Sequence, residues 1–269
     1  MKGKILAVLF TIGILVSVSY VQAQKPNLTT KTTNSSDKNT ENILEVKEVS
    51  NSDATQENEA QNQTKTQVLN QNGKIVISGV AHIQQLPELP RGCEVTSLAM
   101  LLQYEGTSVD KMTLAKEINT IPFRDQSGLH GNPNVGFVGD MYSFDHPGYG
   151  VYHTPIANLA EKYLPGRIID LTGEDIDSVY NMINQGSPVW VITNSRFTSL
   201  PQSEFSAWNT QTGSVQITYR EHSVLVVGYD NQYIYINDPL SDQSYKSVPR
   251  ASFEASWVQM GQQAVSYQL

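Results

Sequence analysis

The abrupt change in composition near Gly73 is the feature that most limits how this chain can fold. Residues 24–72 consist mainly of Asn, Thr, Gln, Ser, Glu and Lys and contain no aromatic residue. Such a segment cannot bury enough apolar surface to form a core, so we expect a disordered polar spacer over 24–72. All five histidines and the single cysteine follow Gly73. The remainder is long enough for one core and too short for two, which predicts one domain over 73–269.

The N-terminal segment has the pattern of an export signal. Two lysines precede an apolar run from Ile5 to Val18, and the sequence VQA at 21–23 is a small-x-small cleavage pattern. We therefore expect a signal peptide over 1–23; the alternative is that the apolar run is kept as a membrane anchor. If the signal is cleaved, the mature protein has no stable membrane span. It is then secreted or associated with the cell surface or envelope, outside the cytoplasm.

Charge and cysteine content exclude several kinds of function. Lys and Arg number 18 against 26 Asp and Glu, a formal charge of -8, and no basic cluster is present to bind phosphates, so we expect no nucleic-acid partner. A single cysteine cannot form an internal disulfide. The spacing of His, Asp and Glu does not match a metal site, so we expect no metal and no cofactor. We also expect a monomer.

Hydrophobic periodicity predicts an α+β domain with a helical N-terminal half packed on an antiparallel β-sheet from the second half. Helices are expected at 93–104, 110–119, 155–163 and 174–185. Strands are expected at 188–193, 214–219, 223–229, 233–237, 245–248 and 264–267. The segment between 120 and 153 is rich in Gly, Pro, Asn and aromatic residues without a sustained period, so we expect an ordered excursion near a binding surface.

Cys93 lies where a loop becomes a helix, and this position allows two interpretations. Free N–H groups and the helix dipole at a first turn favour thiolate, which would make Cys93 a nucleophile. Free cysteines are also among the most buried residues, and Cys93 could equally pack beside Val95 and Leu98. The helix alone does not decide between a reactive thiol and a core residue.

A nucleophilic cysteine needs a histidine base, and the histidine needs a group that orients its ring. His222 begins one predicted strand, and Asp238 ends the next, beyond a tight turn near 230–232. Such a hairpin brings residues 222 and 238 to within one or two positions of being opposite, on one face of the pair. The other histidines are interpreted as surface or loop residues. His82, His130 and His153 have no comparably placed carboxylate, and His146 lies in the long loop.

Several motifs in one order resemble a known family. They are QLPELPRGCEVTSLAM at 85–100, HSVLVVGYD at 222–230 and NDP at 237–239, with GNPNVGFVG at 131–139, GYGVY at 148–152, LTG at 171–173 and GSPVWV at 186–191. Together they resemble the secreted branch of the cysteine peptidases related to double-glycine leader peptidases of bacteriocin exporters, the C-thirty-nine-like family. The resemblance extends from about Ile77 to the C terminus.

This resemblance implies a papain-like fold with defined residue roles. Cys93 would be the nucleophile, His222 the general base and then the general acid, and Asp238 the group that orients the imidazole. A glutamine upstream of the cysteine would donate into the oxyanion hole. Gln85 is the best match, and Gln84 is the alternative, because a proline occupies the position that this glutamine has in the transporter-linked relatives.

The function expected from these residues is that of an exported bacterial cysteine peptidase. It would hydrolyse a peptide bond through a thioester acyl-enzyme, and its partner would be a peptide or cell-wall peptide substrate. Two alternatives stay open at this point. The same triad could serve a peptidoglycan endopeptidase or amidase, or the domain could bind peptides without cleaving them.

Overall fold

The computed structural model describes residues 67–69 and 73–269. The predicted signal peptide (1–23), and the predicted spacer as far as residue 66, lie outside the described residues. Strand β1, Gln67–Leu69, falls within the predicted spacer and pairs antiparallel with Ile75–Ile77. The sheet therefore begins before Gly73, which corrects the boundary drawn from composition. Main-chain hydrogen bonds allow this, because strand pairing does not require an apolar sequence.

Twelve strands and five helices are found in the described part of the chain. The helices are α1 Cys93–Tyr104, α2 Lys111–Glu117, α3 His153–Glu161, α4 Ile176–Gln185 and α5 Arg250–Gln259. After β1, the strands are β2 Ile75–Ile77, β3 Thr120–Ile121, β4 Phe137–Val138, β5 Ile168–Asp170, β6 Val189–Asn194, β7 Ser206–Thr210, β8 Gly213–Ile217, β9 Glu221–Tyr229, β10 Tyr233–Asn237, β11 Lys246–Pro249 and β12 Ala264–Tyr267. No helix among the described residues is long and apolar enough to cross a membrane.

An eight-stranded antiparallel sheet forms the centre of the domain. The strand order along its main path is β1-β2-β9-β6-β12-β5, and β10 pairs with β9 on one side and with β11 on the other. Strand β9 pairs with β6, β10 and β2, and its residues from His222 to Gly228 are buried. Near-continuous burial explains why β9 reads as an apolar run rather than as an alternating strand.

Helix α1 packs on the centre of this sheet. Ten of its twelve residues are buried, and the Ser97 hydroxyl donates to the main-chain oxygen of Ser223 in β9 at 3.2 Å. The Trp190 indole on β6 donates to the main-chain oxygen of Glu94 at 3.0 Å. These bonds fix the N-terminal turn of α1 against β6 and β9, so the first residues of the helix and the start of β9 lie together.

The separation into a helical half and a strand half is less complete than predicted. Strands β2 and β5 come from the first half and join the main sheet, whereas α5 lies in the second half. Helix α5 buries Phe253, Ser256 and Trp257. Only two large apolar side chains therefore mark its inner face, and such a short pattern is weak in the sequence. Strand β7 was also missed, because three of its five residues are polar and Trp208 is its single buried apolar residue.

The segment from 120 to 153 forms a second, smaller apolar cluster together with the β7–β8 hairpin. Its buried members are Val138, Tyr149, Tyr152, Trp208 and Ile217. The His130 ring stacks on Trp208 with centroids 3.9 Å apart and planes 7° from parallel. The segment is thus ordered by aromatic packing, in agreement with the prediction that it is an ordered excursion.

Candidate active site

Cys93 is the first residue of α1 and is buried, with 7% of its surface exposed. Gly92 precedes it because the chain approaches itself closely here: a Cβ at residue 92 would lie 2.5 Å from the Cβ of Leu89. The Cys93 thiol donates to Glu94 Oε2 at 3.3 Å. The main chain of Ser223, next to His222 in β9, also forms a hydrogen bond with Cys93. The thiol is therefore fixed between α1 and the start of β9.

His222 and Asp238 are in direct contact, as the hairpin argument predicted. The Nε2 atom of His222 donates to Asp238 Oδ1 at 2.7 Å, and the exposed fractions of the two residues are 2% and 3%. Asn237 pairs with Leu225, and the register shifts between Tyr235 and Ile236. A bulge therefore displaces residue 238 along β9, and the contact is diagonal rather than directly across the hairpin.

The Asp238 carboxylate is held by several donors. Lys246 Nζ lies 2.9 Å from Oδ2, and the main-chain N–H of Leu240 donates to Oδ1 at 3.0 Å. Burial by itself would raise the pKa of Asp238, but the hydrogen bond and charge of His222, together with the Lys246 contact, hold this pKa well below its usual range. His82 Nε2 also lies 3.0 Å from the main-chain oxygen of Asp238. The carboxylate is therefore ionised and fixed in orientation.

Cys93 and His222 line one cleft of about 280 Å³. The other lining residues are Gln85, Pro90, Arg91, Phe144, Gly148, Tyr149, Tyr219, Glu221 and Leu240. The segment 120–153 contributes Phe144, Gly148 and Tyr149 to the cleft, and the expectation that it borders a binding surface stays a prediction. The cleft thus contains a thiol and an imidazole, one nitrogen of which is fixed by a carboxylate, and it has space for a ligand.

Gln85 lies in this cleft, but its amide already has partners. Its Nε2 donates to the main-chain oxygens of Leu89 and Pro90, each at 3.0 Å, so both amide protons hold the loop before Cys93. Its Oε1 is buried without a hydrogen-bond partner. Gln84 is exposed, and Gln85 is the one of the two that lines the cleft. Its oxyanion role stays a prediction, since one donor would first have to leave a main-chain oxygen.

Comparison with known proteins decides the family. The sequence profile of the Peptidase_C39 like family matches residues 77–265. This chain belongs to that family. The Peptidase_C39 like assignment confirms the family resemblance inferred from the sequence motifs.

Two relatives agree with the Peptidase_C39 like assignment. The uncharacterized protein YvpB of Bacillus subtilis (strain 168) is 51% identical over 182 residues, which are 68% of this chain and 71% of that protein. The crystal structure of a candidate C39-like peptidase from Bacillus anthracis is 54% identical, with a TM-score of 0.72, and the match covers 73% of this chain and 98% of that one. The fold described above is therefore that of the Peptidase_C39 like family.

Two glutamates beside Cys93 are part of the site in this Peptidase_C39 like domain, and the sequence prediction missed them: Glu94 is buried, and Glu221 is partly buried. One oxygen of Glu94, one oxygen of Glu221 and the Cys93 sulfur all lie within 4.8 Å of one another. Both carboxyls are adjacent in sequence to predicted site residues. The sequence signal that could have revealed Glu94 is an acidic residue at the start of the mostly apolar helix α1. These side chains are also metal-ligand types, and the expectation of no metal stays a prediction.

The surroundings of Cys93 oppose thiolate formation, contrary to the expectation from the helix terminus. Burial raises the pKa of the Cys93 thiol well above its usual range, and the charges of Glu94 and Glu221 raise it further. The hydrogen bond from the main chain of Ser223 acts in the opposite direction. Desolvation and like charge outweigh the first-turn effect.

One of the other histidines has a carboxylate partner, contrary to the prediction from the sequence. His153 Nδ1 lies 2.6 Å from Asp170 Oδ2, because α3, which His153 begins, packs on β5, which Asp170 ends. The prediction that His153 lacks a carboxylate partner is therefore wrong. This pair does not line the cleft that contains Cys93. His146 is exposed in the long loop, as expected.

Proposed function

We propose that this protein is a cysteine peptidase that hydrolyses a peptide bond, with Cys93 as nucleophile, His222 as general base and Asp238 as the group that orients the imidazole. The observation that carries the proposal is the joint position of these residues. Cys93 and His222 line the same cleft, and Asp238 Oδ1 holds Nε2 of His222 at 2.7 Å. Family membership supports the same chemistry.

The first chemical step is proton transfer from the Cys93 thiol to His222. Asp238 occupies Nε2, so Nδ1 is the ring atom that accepts the proton. The ionised carboxylate stabilises the imidazolium that forms. The sulfur then attacks the carbonyl carbon of the scissile amide, and a tetrahedral intermediate with a negatively charged oxygen results.

The oxyanion needs hydrogen-bond donors at the start of α1. The main-chain N–H of Cys93 has no acceptor within the helix, because it belongs to the first turn. Gln85 is the candidate for a second donor. The imidazolium gives its proton to the leaving amine, the C–N bond breaks, and a thioester forms on Cys93. Water, deprotonated by His222, hydrolyses this thioester and restores the thiol.

Exposed apolar side chains border the cleft and support a peptide substrate with apolar residues near the cleaved bond. Phe144, Tyr219 and Leu240 line the cleft and have 70%, 68% and 50% of their surfaces exposed. Arg91 lies against the Phe144 ring, with its guanidinium carbon 4.7 Å from the ring centroid. Side chains of this kind contribute to binding when a ligand covers them.

The proposal also includes the setting in which the reaction takes place. The export pattern of residues 1–23 supports a location outside the cytoplasm, secreted or associated with the envelope, and we propose that the domain acts there as a monomer. A peptide or the peptide part of the cell wall is then the substrate within reach. The polar spacer would allow the domain to act at a distance from the envelope.

The test is a comparison of the purified protein with its Cys93→Ala variant on a diverse peptide library, with cleavage measured by mass spectrometry. Cleavage by the wild type and none by the variant is expected. Purified peptidoglycan is incubated in parallel, and release of wall peptides without cleavage in the library would indicate the endopeptidase or amidase activity. Identical profiles for the two proteins on both substrates would reject the enzymatic proposal and leave peptide binding.

A further inference from the structure

Glu94 and Glu221 form a carboxyl pair beside the Cys93 sulfur, and Glu221 is partly buried at the edge of the cleft. Glu94 is completely buried, and its Oε1 accepts the main-chain N–H of Val151 at 2.8 Å. Glu221 Oε1 is buried without a hydrogen-bond partner. The two carboxyls meet above Gly150, where a Cβ would lie 2.4 Å from Glu94 Oε1 and 2.9 Å from Glu221 Oε2. The absence of a side chain at residue 150 is what allows both carboxyls to occupy this space.

The charged groups around the pair do not neutralise it. In the part of the chain that the structure describes, neither Glu94 nor Glu221 forms an ion pair. The nearby cations have other partners. Arg91 donates to the main-chain oxygens of Asp140 and Ser143, Arg220 contacts Glu204, and Lys246 contacts Asp238. The remaining titratable groups that face the pair are Cys93, His222 and the buried hydroxyls of Tyr149 and Tyr152.

Two carboxylates this close, one buried and one partly buried, cannot both be ionised at little cost, so the pair is most stable with one proton. Burial raises the pKa of Glu94 to about 7. Burial, and then the charge of Glu94, raise the pKa of Glu221 well above its usual range. The geometry and these shifts agree that the pair retains a proton at neutral pH.

We propose that the pair of Glu94 and Glu221 keeps one proton beside Cys93, and that the charge of this pair controls how readily the thiol gives its own proton to His222. The two glutamates are positioning residues, because they act through Cys93 and not on the substrate. This inference depends on the proposed function for its catalytic meaning. The Cys93 proton moves to His222 Nδ1, and the proton of the carboxyl pair stays on the pair.

The consequence is a thiol that is harder to deprotonate once the pair has lost its proton. When the pair loses its proton, a second negative charge appears within 4.8 Å of the Cys93 sulfur. That charge disfavours the thiolate needed for attack. Glu94 also accepts the thiol proton in a hydrogen bond of 3.3 Å, which holds the resting sulfur in place.

The test follows the rate of Cys93 alkylation by iodoacetamide between pH 5 and 10 in wild type, Glu221→Gln and Glu94→Gln. Cys93 is the single cysteine, so the labelled site is unambiguous. Each glutamine variant is limited to one charge beside the sulfur, whereas the wild-type pair carries two after losing its proton. The pH midpoint of alkylation should therefore fall by about one unit in the variants, and labelling should be about tenfold faster at the alkaline end of this range. The exposed Glu174→Gln serves as the matched control and should retain the wild-type midpoint.

Further variants separate charge from structure. Glu221→Asp restores the carboxylate and should return the midpoint toward the wild-type value. Circular dichroism establishes which variants are folded. If Glu221→Gln does not fold, Glu94→Gln provides the test, because the amide oxygen introduced at residue 94 can still accept the Val151 N–H. Midpoints equal to the wild-type value in the folded glutamine variants would overturn the proposal.

Alkylation needs no substrate, so this result is independent of the peptidase assignment. If the peptide library shows no Cys93-dependent cleavage while Glu221→Gln lowers the midpoint, the control of the thiol stands and the peptidase function fails. If cleavage is found, the pH dependence of kcat should shift in Glu221→Gln in the same direction as alkylation. A kcat profile unchanged in that folded variant would contradict the catalytic role of the pair.

Discussion

His222 Nε2 lies 2.7 Å from Asp238 Oδ1, and both residues are almost completely buried. The second oxygen of the same carboxylate contacts Lys246. The aspartate therefore joins a catalytic candidate to a half-exposed lysine at the edge of the site. Because the ring of His222 is fixed through Nε2, the orientation of Nδ1 depends on this one carboxylate.

Asp238→Asn should reduce kcat/KM strongly with little change of fold. The amide keeps the size of the side chain, but it cannot stabilise the imidazolium by charge, and loss of a general base that is correctly oriented costs roughly 10²- to 10⁴-fold. Steady-state kinetics on a peptide identified from the library measures the effect. A reduction below tenfold would show that Asp238 does not orient the base.

Lys246→Met should lower the melting temperature at pH 7 and low salt, and the loss should be smaller in 1 M NaCl, which screens an ion pair. The pKa of Asp238 lies well below its usual 3.8 in the folded protein, so the stability that its ionised form adds is fully present above pH 3.8 and is lost only as pH falls through the lower, folded-state pKa. Lys246 is partly exposed, and a loss of roughly 1 kcal/mol corresponds to about 2–4 °C in a domain of this size. Thermal unfolding at both salt concentrations is the measurement.

The exposed Lys162→Met provides the control for Lys246→Met, since it removes the same charge elsewhere. It should melt at the wild-type temperature at both salt concentrations. A difference between Lys246→Met and wild type that is as large in 1 M NaCl as at low salt would mean that packing on the Phe197 ring, whose centroid lies 4.8 Å from Nζ, is what stabilises the contact.

Gln85→Ala should be far more damaging than Gln84→Ala. Gln85 is buried and its amide holds two main-chain oxygens just before Cys93, whereas Gln84 is exposed. Loss of an oxyanion donor costs on the order of 10²- to 10³-fold in kcat. Measuring kcat and the melting temperature of both variants distinguishes a catalytic loss from a loss of loop structure. A larger fall of kcat in Gln84→Ala would reassign the role.

Glu94→Gln should make the protein more resistant to unfolding at pH 8, but not at pH 4. Glu94 has a pKa of about 7 in the folded protein against a usual value of 4.5. The folded state therefore keeps a proton that the unfolded state releases, and wild-type stability falls as pH rises from about 4.5 to 7. Urea unfolding of both proteins at the two pH values tests this. Wild type more stable than the variant at pH 8 would contradict it.

Gly150→Ala should destabilise the protein by roughly 1–3 kcal/mol, the usual cost of added volume in a packed interior. The new methyl group would enter the space that the two carboxyls share, where Glu94 is held by Val151 and cannot move freely. Urea unfolding measures the free energy. An unchanged free energy would show that the pair has more room than these distances indicate.

The sequence predicted what depends on local pattern. The bounds of α1, β10 and β12 were correct, and the hairpin placed His222 beside Asp238 because two strands joined by a tight turn must pair. The register was displaced by a bulge, which the sequence did not show. Helix α5 was missed because its inner face carries few apolar residues.

Contacts between distant segments could not be predicted in the same way. Glu94 and Glu221 are far apart in sequence and meet only because α1 packs on β9 beneath the loop that contains Gly150. His153 and Asp170 meet for a similar reason, through the packing of α3 on β5. Burial then reversed the expected effect on the Cys93 thiol, since desolvation depends on the whole fold and not on the helix terminus alone.

The aromatic stack around Trp208 gives the cleft wall a support of its own. Tyr219 packs edge-on against Tyr149 and Trp208, and the β7–β8 hairpin that carries Trp208 is a two-stranded sheet separate from the main one. Cys93 and His222, by contrast, are fixed by α1 and β9. Related chains can therefore diversify the wall by changing this hairpin while the sheet that holds the reactive groups is retained, and a designer could exchange specificity in the same way.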